Sequence, residues 1–326
     1  MSLRYTFVPV VFELELPFLE VQARSLAQHV APDLLERVVI VDNTRHGIGG
    51  RRRAGVVAAY GVHADHVEIV RGNRIAPAAT SLGWMTQQVL KLAVARQVQT
   101  ERYVTLDAKN FFVAPLDRGY LESPDGRARV GAHPYDGHPL LPALRRALRY
   151  FGLPEDGNVE QFPATVTPYV LYAQDVRDLI DAVEAREGTT FERAFLQQDF
   201  TEFFLYAAWL TSRYGDRAVR YAQNQPGCQT VWPGRPTLEA VQEAVRNTNE
   251  QSLPVFSVHR TALVRMDPAA TVALCDFWAT ADLFPSAAVA QRFVTTYRDF
   301  FRRHVWIKRA REAPARVTRR LRGARA

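Results

Sequence analysis

Short apolar runs alternate with helical patterns through the first third of the chain, and this alternation restricts the choice of fold more than any other feature. Strands are predicted at Tyr5 to Phe12, Arg37 to Asp42, Val67 to Val70 and in a run that ends at Asp107. Helices are predicted from Pro17 to Val30 and from Met85 to Val98. This order favours parallel strands, because parallel neighbours need long crossover connections. We therefore predict an α/β protein with a mostly parallel sheet flanked by helices.

The later segments are more mixed, but no repeat or linker interrupts them. Further strands are predicted at Arg129 to Ala132, Tyr169 to Tyr172 and Pro254 to Val258, and helices at Pro142 to Phe151, Asp175 to Ala185 and Thr201 to Arg213. A chain of 326 residues is long enough for one large domain. We predict a single domain over residues 1–300 and a basic, arginine-rich tail over residues 301–326.

The positive charge of the chain is concentrated at its end. The net charge is +7, and residues 302–326 hold nine arginines and Lys308 against the single acid Glu312, so this segment has a charge of +9. Residues 1–301 are left with 7 − 9 = −2. A nearly neutral body argues against nucleic acid as a partner. Basic clusters attract anionic lipid headgroups, so peripheral contact with the inner face of a membrane is predicted for the tail, with a solvated end as the alternative.

The remaining composition indicates a reducing compartment. Only Cys228 and Cys275 are present, which provides no disulfide framework and no thiolate metal site. The amino terminus lacks the basic region, apolar core and cleavage site of a signal peptide. No apolar stretch reaches the length of a membrane-spanning helix. We predict a cytoplasmic protein.

The segment from Val104 to Phe112 holds the strongest functional signal. An apolar strand ends at Asp107, and Lys109 and Asn110 follow before the next apolar step. Ligands of α/β proteins gather at the carboxyl ends of parallel strands, so Asp107 is a candidate binding residue. An ordinary turn is the alternative, because Asp and Asn favour turns through local hydrogen bonds.

A second predicted strand ends at Asp42 and Asn43, where polar groups could hold a ribose or the edge of a base. The segment that follows, Gly47 to Arg53, is glycine-rich and basic, and its backbone amides could contact phosphate. It lacks the full spacing of a phosphate-binding loop. We predict a surface loop there.

Four ordered pieces of the chain resemble one protein family. They are Gly83-Trp-Met-Thr-Gln-Gln-Val-Leu-Lys-Leu92, Tyr103-Val-Thr-Leu-Asp-Ala-Lys-Asn-Phe-Phe112, Thr201-Glu-Phe-Phe-Leu-Tyr206 and Phe256-Ser-Val-His-Arg260. Their order and spacing are similar to those of bacterial glycosyltransferases of the GT-A type, in a family known mainly as a domain of unknown function, DUF6492. The resemblance covers roughly residues 1–265. It implies a GT-A-like, Rossmann-type sheet that binds a nucleotide-sugar and passes the sugar to a glycan or other hydroxyl acceptor, in bacterial polysaccharide biosynthesis.

The resemblance also implies roles for single residues, within a donor half at about 1–133 and an acceptor half at about 134–300. The implied donor-binding residues are Asp42, Asn43, Gln87, Lys91, Asp107, Lys109 and Asn110. Gln87 and Lys91 are four residues apart and would share one face of a helix. Glu202 is the candidate general base for the acceptor hydroxyl. The alternative for Glu202 is a first-turn glutamate favoured by the helix dipole.

Lys109 is the point where the chain departs from the family motif, which has a second acid there. In one alternative, Lys109 turns away and a divalent cation, manganese or magnesium, is held by Asp107, Asn110 and His259. In the other, Lys109 itself neutralises the diphosphate leaving group and no metal is needed. We favour the metal, with Asp107 and His259 as ligands.

Two rival functions stay open at this point. One is a catalytically silent nucleotide-binding or membrane-associated scaffold protein, for which Lys109 in place of an acid would be the mark. The other is a nucleotidyltransferase, which uses a similar sheet and metal-bound phosphates. A triphosphate loop with full glycine-lysine spacing would favour the nucleotidyltransferase, and the sequence does not contain one.

Overall fold

The computed structural model describes residues 3–79, 83–223, 227–234 and 236–323, the last sixteen of these as backbone only. The chain divides into two compact units, Met1–Gln229 with Arg246–Ser257 and Thr230–Val245 with Val258–Ala326. Each boundary between the two units falls inside a strand or helix, at residues 229–230, 245–246 and 257–258. The division into one domain over residues 1–300 and a basic tail over residues 301–326 stays a prediction.

The strands of the described residues are numbered in chain order. They are β1 (Tyr5–Val11), β2 (Leu35–Asp42), β3 (Val67–Arg71), β4 (Arg102–Asp107), β5 (Asn110–Phe112), β6 (Ala128–Val130), β7 (Ala132–His133), β8 (Phe162–Pro163), β9 (Tyr169–Tyr172), β10 (Tyr221–Gln223), β11 (Gln229–Val231) and β12 (Val255–Val258).

The α-helices are numbered in the same way. They are α1 (Leu16–His29), α2 (Gly50–Ala59), α3 (Gly72–Ile75), α4 (Trp84–Ala93), α5 (Arg118–Leu121), α6 (Leu141–Tyr150), α7 (Ala173–Glu187), α8 (Phe191–Gln197), α9 (Glu202–Tyr214), α10 (Leu238–Glu250), α11 (Arg260–Arg265), α12 (Pro268–Thr280) and α13 (Ala287–Gly323).

A five-stranded sheet in the order β3-β2-β1-β4-β9 forms the centre of the first unit. Strands β1 to β4 are parallel, and β9 pairs antiparallel to β4 at the edge. The order β3-β2-β1-β4 is that of a Rossmann-type sheet, in which the chain switches from one side of β1 to the other. The prediction of an α/β fold with a mostly parallel sheet flanked by helices is confirmed.

Local sequence explains why these elements form. Every residue of β1 is buried, as is the run Val38–Val41 of β2, which suits strands covered on both faces. Helix α1 has Pro17 in its first turn, where the missing amide hydrogen costs nothing. Helices α7 and α9 end at Gly188 and Gly215 with φ of 62° and 77°, a left-handed conformation that glycine adopts without strain.

The predicted surface loop from Gly47 to Arg53 is only partly right. The exposed residues Arg51, Arg52 and Arg53 belong to the first turns of helix α2, which begins at Gly50. Val56 is the buried residue of this helix, and a single apolar contact left too weak a periodic signal in the sequence.

In the second unit, α12 and the first half of α13 are joined by Arg298. Its guanidinium donates to the carbonyls of Leu263 at 3.1 Å and Met266 at 2.8 Å and to Thr271 Oγ1 at 2.8 Å. Helix α13 continues as a helix to Gly323, through most of the predicted tail. Among the described residues, no helix combines the length and apolarity needed to cross a bilayer.

Candidate active site

Polar side chains collect at the carboxyl-terminal edge of the central sheet, on both sides of β1. In the sheet register, Val11 of β1 lies opposite Asp42 of β2, and Val10 lies opposite Asp107 of β4. This edge includes the switch point between β1 and β4, where α/β sheets open a crevice for ligands. The two strand ends singled out in the sequence therefore flank the same strand.

The backbone around Asp107 is held firmly. The side-chain nitrogen of Gln22 donates to the carbonyls of Asp107 at 2.7 Å and Asn110 at 3.0 Å. Asn110 accepts from the amide of Asp107 through Oδ1 at 2.7 Å, and its Nδ2 donates to the carbonyl of Thr167 and to Ser257 Oγ. Both the oxygen and the nitrogen of the buried Asn110 side-chain amide therefore bond to protein atoms, and Asn110 fixes the turn between β4 and β5.

The carboxylate of Asp107 lies between two lysines. Lys91 Nζ is 2.8 Å from Asp107 Oδ1, and Lys109 pairs with Asp107 Oδ2. Lys91 Nζ also lies 3.1 Å from Glu202 Oε1. The side chains of Lys91 and Glu202 are 8% and 6% exposed, whereas that of Asp107 is 24% exposed and has the most access to solvent. We call Lys91, Asp107, Lys109 and Glu202 the lysine–acid cluster; its two cations and two anions sum to zero charge.

Helix packing brings the cluster together. Lys91 lies in the last turn of α4, and its carbonyl accepts from the hydroxyl of Tyr103 at 3.0 Å. Gln88, one turn earlier, accepts through Oε1 from the amide of Glu202 at 3.3 Å. The Lys91 ammonium also lies 5.3 Å from the ring centroid of Phe203. Contacts from α4 to the start of α9 thus orient both Lys91 and Glu202.

The charges in the cluster shift each other's protonation. Burial alone would raise the pKa of Asp107, but Lys109 and Lys91 outweigh burial and hold this pKa far below its usual range. Burial alone would lower the pKa of Lys91, but Asp107 and Glu202 raise it above its usual value. For Glu202, burial dominates over Lys91, so the pKa of Glu202 is raised. Glu202 is the more basic of the two carboxylates, as a proton acceptor requires.

Asp42 lies in a separate network of hydrogen bonds within the protein. Its Oδ1 accepts from the amide and hydroxyl of Thr44, and its Oδ2 accepts from the amide of Ile48 and from Arg71 Nη1, all at 2.6 to 2.9 Å. Asp42 is 1% exposed, so its carboxylate holds the loop after β2 in place. The loop passes close to Arg71 at Gly47, where φ is 82° and an added Cβ would lie 2.9 Å from Arg71 Nη1.

Asn43 differs from its neighbour Asp42. It is 5% exposed, and its amide hydrogen is donated to the carbonyl of Val11 at 2.8 Å. Its side-chain nitrogen is buried without a hydrogen-bond partner in the described part of the chain. A buried donor without a partner is costly, so this atom is suited to a ligand acceptor.

The remaining predicted site residues are Gln87 and His259. Gln87 is half-buried on α4, beside the more deeply buried Gln88. His259 is in the second unit, where it caps α11: its Nδ1 accepts from the amide of Thr261 at 3.2 Å. Its ring centroid is 6.1 Å from that of Trp232. The cap gives His259 a structural partner, and its role as a metal ligand stays a prediction.

The groups around Asp107 do not suit a divalent cation. Both carboxylate oxygens face ammonium groups, and the described residues contain no cluster of three His, Cys, Asp or Glu side chains that could hold a metal. A divalent cation ~4 Å from one ammonium would be disfavoured by ~8 kcal/mol at an effective dielectric of ~20, twice the value for two unit charges. The side chains around Asp107 agree better with the second alternative for Lys109, in which lysine provides the positive charge.

One signal in the sequence could have identified Lys91 and Lys109 together. Of the 41 basic residues, 38 are arginines and only Lys91, Lys109 and Lys308 are lysines. Two of the three lysines therefore contact one carboxylate. An ammonium is a compact charge with three rotatable donors, so lysine at both positions points to a local requirement that arginine does not meet.

The family model for a family of unknown function, DUF6492, matches residues 13–242, which is more than half of the chain. The protein is a member of the DUF6492 family. The matched region of this DUF6492 protein includes all residues of the lysine–acid cluster. A comparison with curated proteins found no match.

Several solved structures are similar to this DUF6492 protein at low sequence identity. The galactosyltransferase LgtC, crystallised with donor and acceptor sugar analogues, is 13% identical, with 69% of this chain and 75% of that chain covered and a TM-score of 0.41. Glucosyl-3-phosphoglycerate synthase from Mycobacterium tuberculosis, in complex with Mn²⁺ and UDP, is 13% identical, with 68% and 69% covered and a TM-score of 0.36. The glycosyltransferase GlyE of Streptococcus pneumoniae is 10% identical, with 91% and 64% covered and a TM-score of 0.40.

Proposed function

We propose that this protein is a GT-A-like glycosyltransferase that moves a sugar from a nucleoside-diphosphate sugar to a hydroxyl group of a glycan or another acceptor. The observation that supports it is the lysine–acid cluster at the carboxyl end of β4, beside the switch point of the sheet. Buried ionisable groups with strongly shifted pKa values are enriched at functional sites. A cluster of two lysines and two acids at this edge can bind phosphate and accept a proton.

The proposed donor site extends across β1. Neighbouring strands are about 4.8 Å apart, so the ends of β2 and β4 lie on the order of 10 Å from each other. In this proposal the nucleoside is received by the side-chain nitrogen of Asn43, which has no hydrogen-bond partner among the described residues, and Asp42 fixes the loop. Lys91 and Lys109 receive the diphosphate, with Asp107 holding both ammonium groups and Asn110 fixing the turn. Gln87, on the same helix as Lys91, completes the proposed donor residues.

The proposed chemistry uses Glu202 as the general base. The bond between the anomeric carbon and the diphosphate oxygen breaks, and its electron pair stays on the diphosphate. The acceptor hydroxyl oxygen bonds to the anomeric carbon and gives its proton to the Glu202 carboxylate. The raised pKa of Glu202 supports this role, and its contact with Lys91 fixes the direction of the carboxylate.

The decisive test is turnover. The purified protein would be incubated with uridine, guanosine and thymidine diphosphate sugars, and released nucleoside diphosphate would be measured. We expect release with at least one donor and a loss of a hundredfold or more in Glu202→Gln, since general bases contribute about 10²- to 10⁴-fold. Glu192→Gln is the matched control, because Glu192 is also a buried first-turn glutamate, but its Oε1 accepts from the amide of Ala78 at 3.1 Å.

The rival functions give different outcomes in the same assay. Binding of a nucleotide-sugar without release would support the catalytically silent scaffold. Release of pyrophosphate from a nucleoside triphosphate would support the nucleotidyltransferase. Either result would refute the proposed transfer of sugar.

We also propose where the protein acts. The segment 302–326, with its charge of +9, follows the packed part of α13 and would attract anionic lipid headgroups by ~1 kcal/mol per basic residue near the surface. Because Trp306 is 71% exposed, an aromatic side chain is also available to the membrane interface. A cytoplasmic enzyme held at the inner face of the membrane is the proposal that combines these features.

A further inference from the structure

We propose that the diphosphate of the donor is bound by Lys91 and Lys109 without a divalent cation, an inference that rests on the proposed glycosyl transfer. It reverses the preference for a metal on Asp107 and His259 that the sequence alone favoured. The reason is the arrangement of charges, since the carboxylate a metal would need is already shared between two ammonium groups.

The first step is the anchoring of Lys91. Its Nζ has three N–H donors, and two of them face Asp107 Oδ1 and Glu202 Oε1. With both carboxylates attached to Lys91, its position does not depend on a ligand. Lys91 therefore provides a fixed positive charge next to Asp107.

The second step is the exchange at Lys109. Lys109 lies in the two-residue turn between β4 and β5, and its side chain is 13% exposed. When a phosphate oxygen replaces Asp107 as the partner of Lys109, Asp107 keeps its ion pair with Lys91. One charge-assisted hydrogen bond is exchanged for another, and the Asp107 carboxylate stays paired with Lys91 after the donor binds.

The third step is the departure of the diphosphate leaving group. As the bond from the anomeric carbon to the diphosphate breaks, negative charge grows on the oxygen that keeps the electron pair. An ammonium already in place among largely buried side chains stabilises this charge, which is the role a metal ion has in other enzymes. Lysine suits this role because its ammonium is compact and can turn its three donors.

The test measures binding and turnover separately. Uridine, guanosine and thymidine diphosphates would be titrated calorimetrically into the full-length protein in EDTA and, in parallel, with added Mn²⁺. We expect at least one of them to bind in EDTA with a Kd within threefold of its value with Mn²⁺. Lys109→Met should weaken this binding at least tenfold, and Lys308→Met is the matched control because it removes the third lysine by the same substitution.

The outcomes separate this inference from the proposed function. Binding and turnover that require Mn²⁺ would overturn the lysine proposal and leave the glycosyltransferase intact. No binding of any nucleoside diphosphate under either condition would overturn both. The wild-type comparison in EDTA and Mn²⁺ decides the question even if Lys109→Met fails to fold, which circular dichroism would reveal.

Discussion

Lys91 Nζ lies 2.8 Å from Asp107 Oδ1 at the carboxyl-terminal edge of the sheet, where the Lys91 side chain is 8% exposed. The same ammonium is the partner of Glu202 at 3.1 Å. Lys91 is therefore the centre of the lysine–acid cluster, since both carboxylates contact it. A change at Lys91 should affect stability as well as function.

Replacing Lys91 by Met should lower the free energy of unfolding by about 3–5 kcal/mol, because it leaves the buried Glu202 carboxylate without its cation. Arg96→Met is the control, since Arg96 forms ion pairs with Asp181 and Glu184 at an exposed site and should change stability by less than about 1 kcal/mol. Urea titration of both variants measures the difference. Equal midpoints for the two variants would refute a structural role for the Lys91 ion pairs.

Glu202 should make stability depend on pH in a specific direction. Its pKa is higher in the folded than in the unfolded chain, so its favourable contribution is complete below the unfolded value near 4.5 and is lost as pH rises through the folded pKa. The Glu202→Gln variant has no carboxyl group at this position, so it does not lose this stabilisation as pH rises. The stability of Glu202→Gln relative to wild type should therefore rise with pH above about 4.5 and then level off, as unfolding at a series of pH values would show. A difference that falls with rising pH would contradict the raised pKa.

Nucleoside diphosphates should stabilise the folded protein through Lys91 and Lys109, whose ammonium groups Asp107 holds in place. A ligand at a hundredfold excess over its Kd adds ~2.7 kcal/mol, so at least one of the uridine, guanosine and thymidine diphosphates should clearly raise the Tm. Asp107→Ala should reduce this shift, because both ammonium groups lose the carboxylate that positions them. Asp175→Ala should keep it, because Asp175 is also an aspartate in an ion pair but its partner is Arg220 Nε, at 2.7 Å. If no nucleoside diphosphate shifts the Tm of wild type, the donor site is wrong.

Alanine at Asn110 should mainly lower stability, whereas alanine at Asn43 should mainly lower the affinity for nucleotide. Asn110→Ala removes bonds to Asp107, Thr167 and Ser257 and should cost about 2–4 kcal/mol of stability, at roughly 1 kcal/mol for each hydrogen bond plus the unpaired groups left behind. Asn43→Ala should cost about 1 kcal/mol, since its side-chain nitrogen has no protein partner to lose in the described part of the chain. Calorimetry should instead show weaker nucleotide binding by Asn43→Ala. Unchanged affinity in that variant would exclude Asn43 from the donor site.

The basic tail should bind anionic vesicles in a salt-sensitive way. Truncation after Phe301 should abolish this binding and leave the fold intact, because the contacts of Arg298 with Leu263 and Met266 lie before the cut. Cosedimentation with phosphatidylserine vesicles at low and high salt measures the effect, with phosphatidylcholine vesicles as the control. Equal binding by the truncated protein would show that the tail is not the membrane contact.

Local sequence patterns were enough to place the strands of the central sheet and their order along the chain. The predicted strand ending at Asp107 and the β-branched run that ends at Asp42 are present as β4 and β2, since alternation and apolar runs are local properties. The predicted helices from Pro17, Met85 and Thr201 are present as α1, α4 and α9, each beginning within one residue of the predicted start. Helix α2 was missed because it buries too few apolar residues to leave a pattern.

Which charged side chains come into contact depends on the packing of distant segments. Lys91 and Glu202 are 111 residues apart in sequence, and their contact depends on how α4 packs near the start of α9. The sequence motif suggested a metal at Asp107, because a motif shows which residues follow one another and not which side chains approach it from elsewhere. The two ammonium groups on Asp107 alter that expectation, since the affinity of a carboxylate for a cation depends on all the charges within a few ångströms.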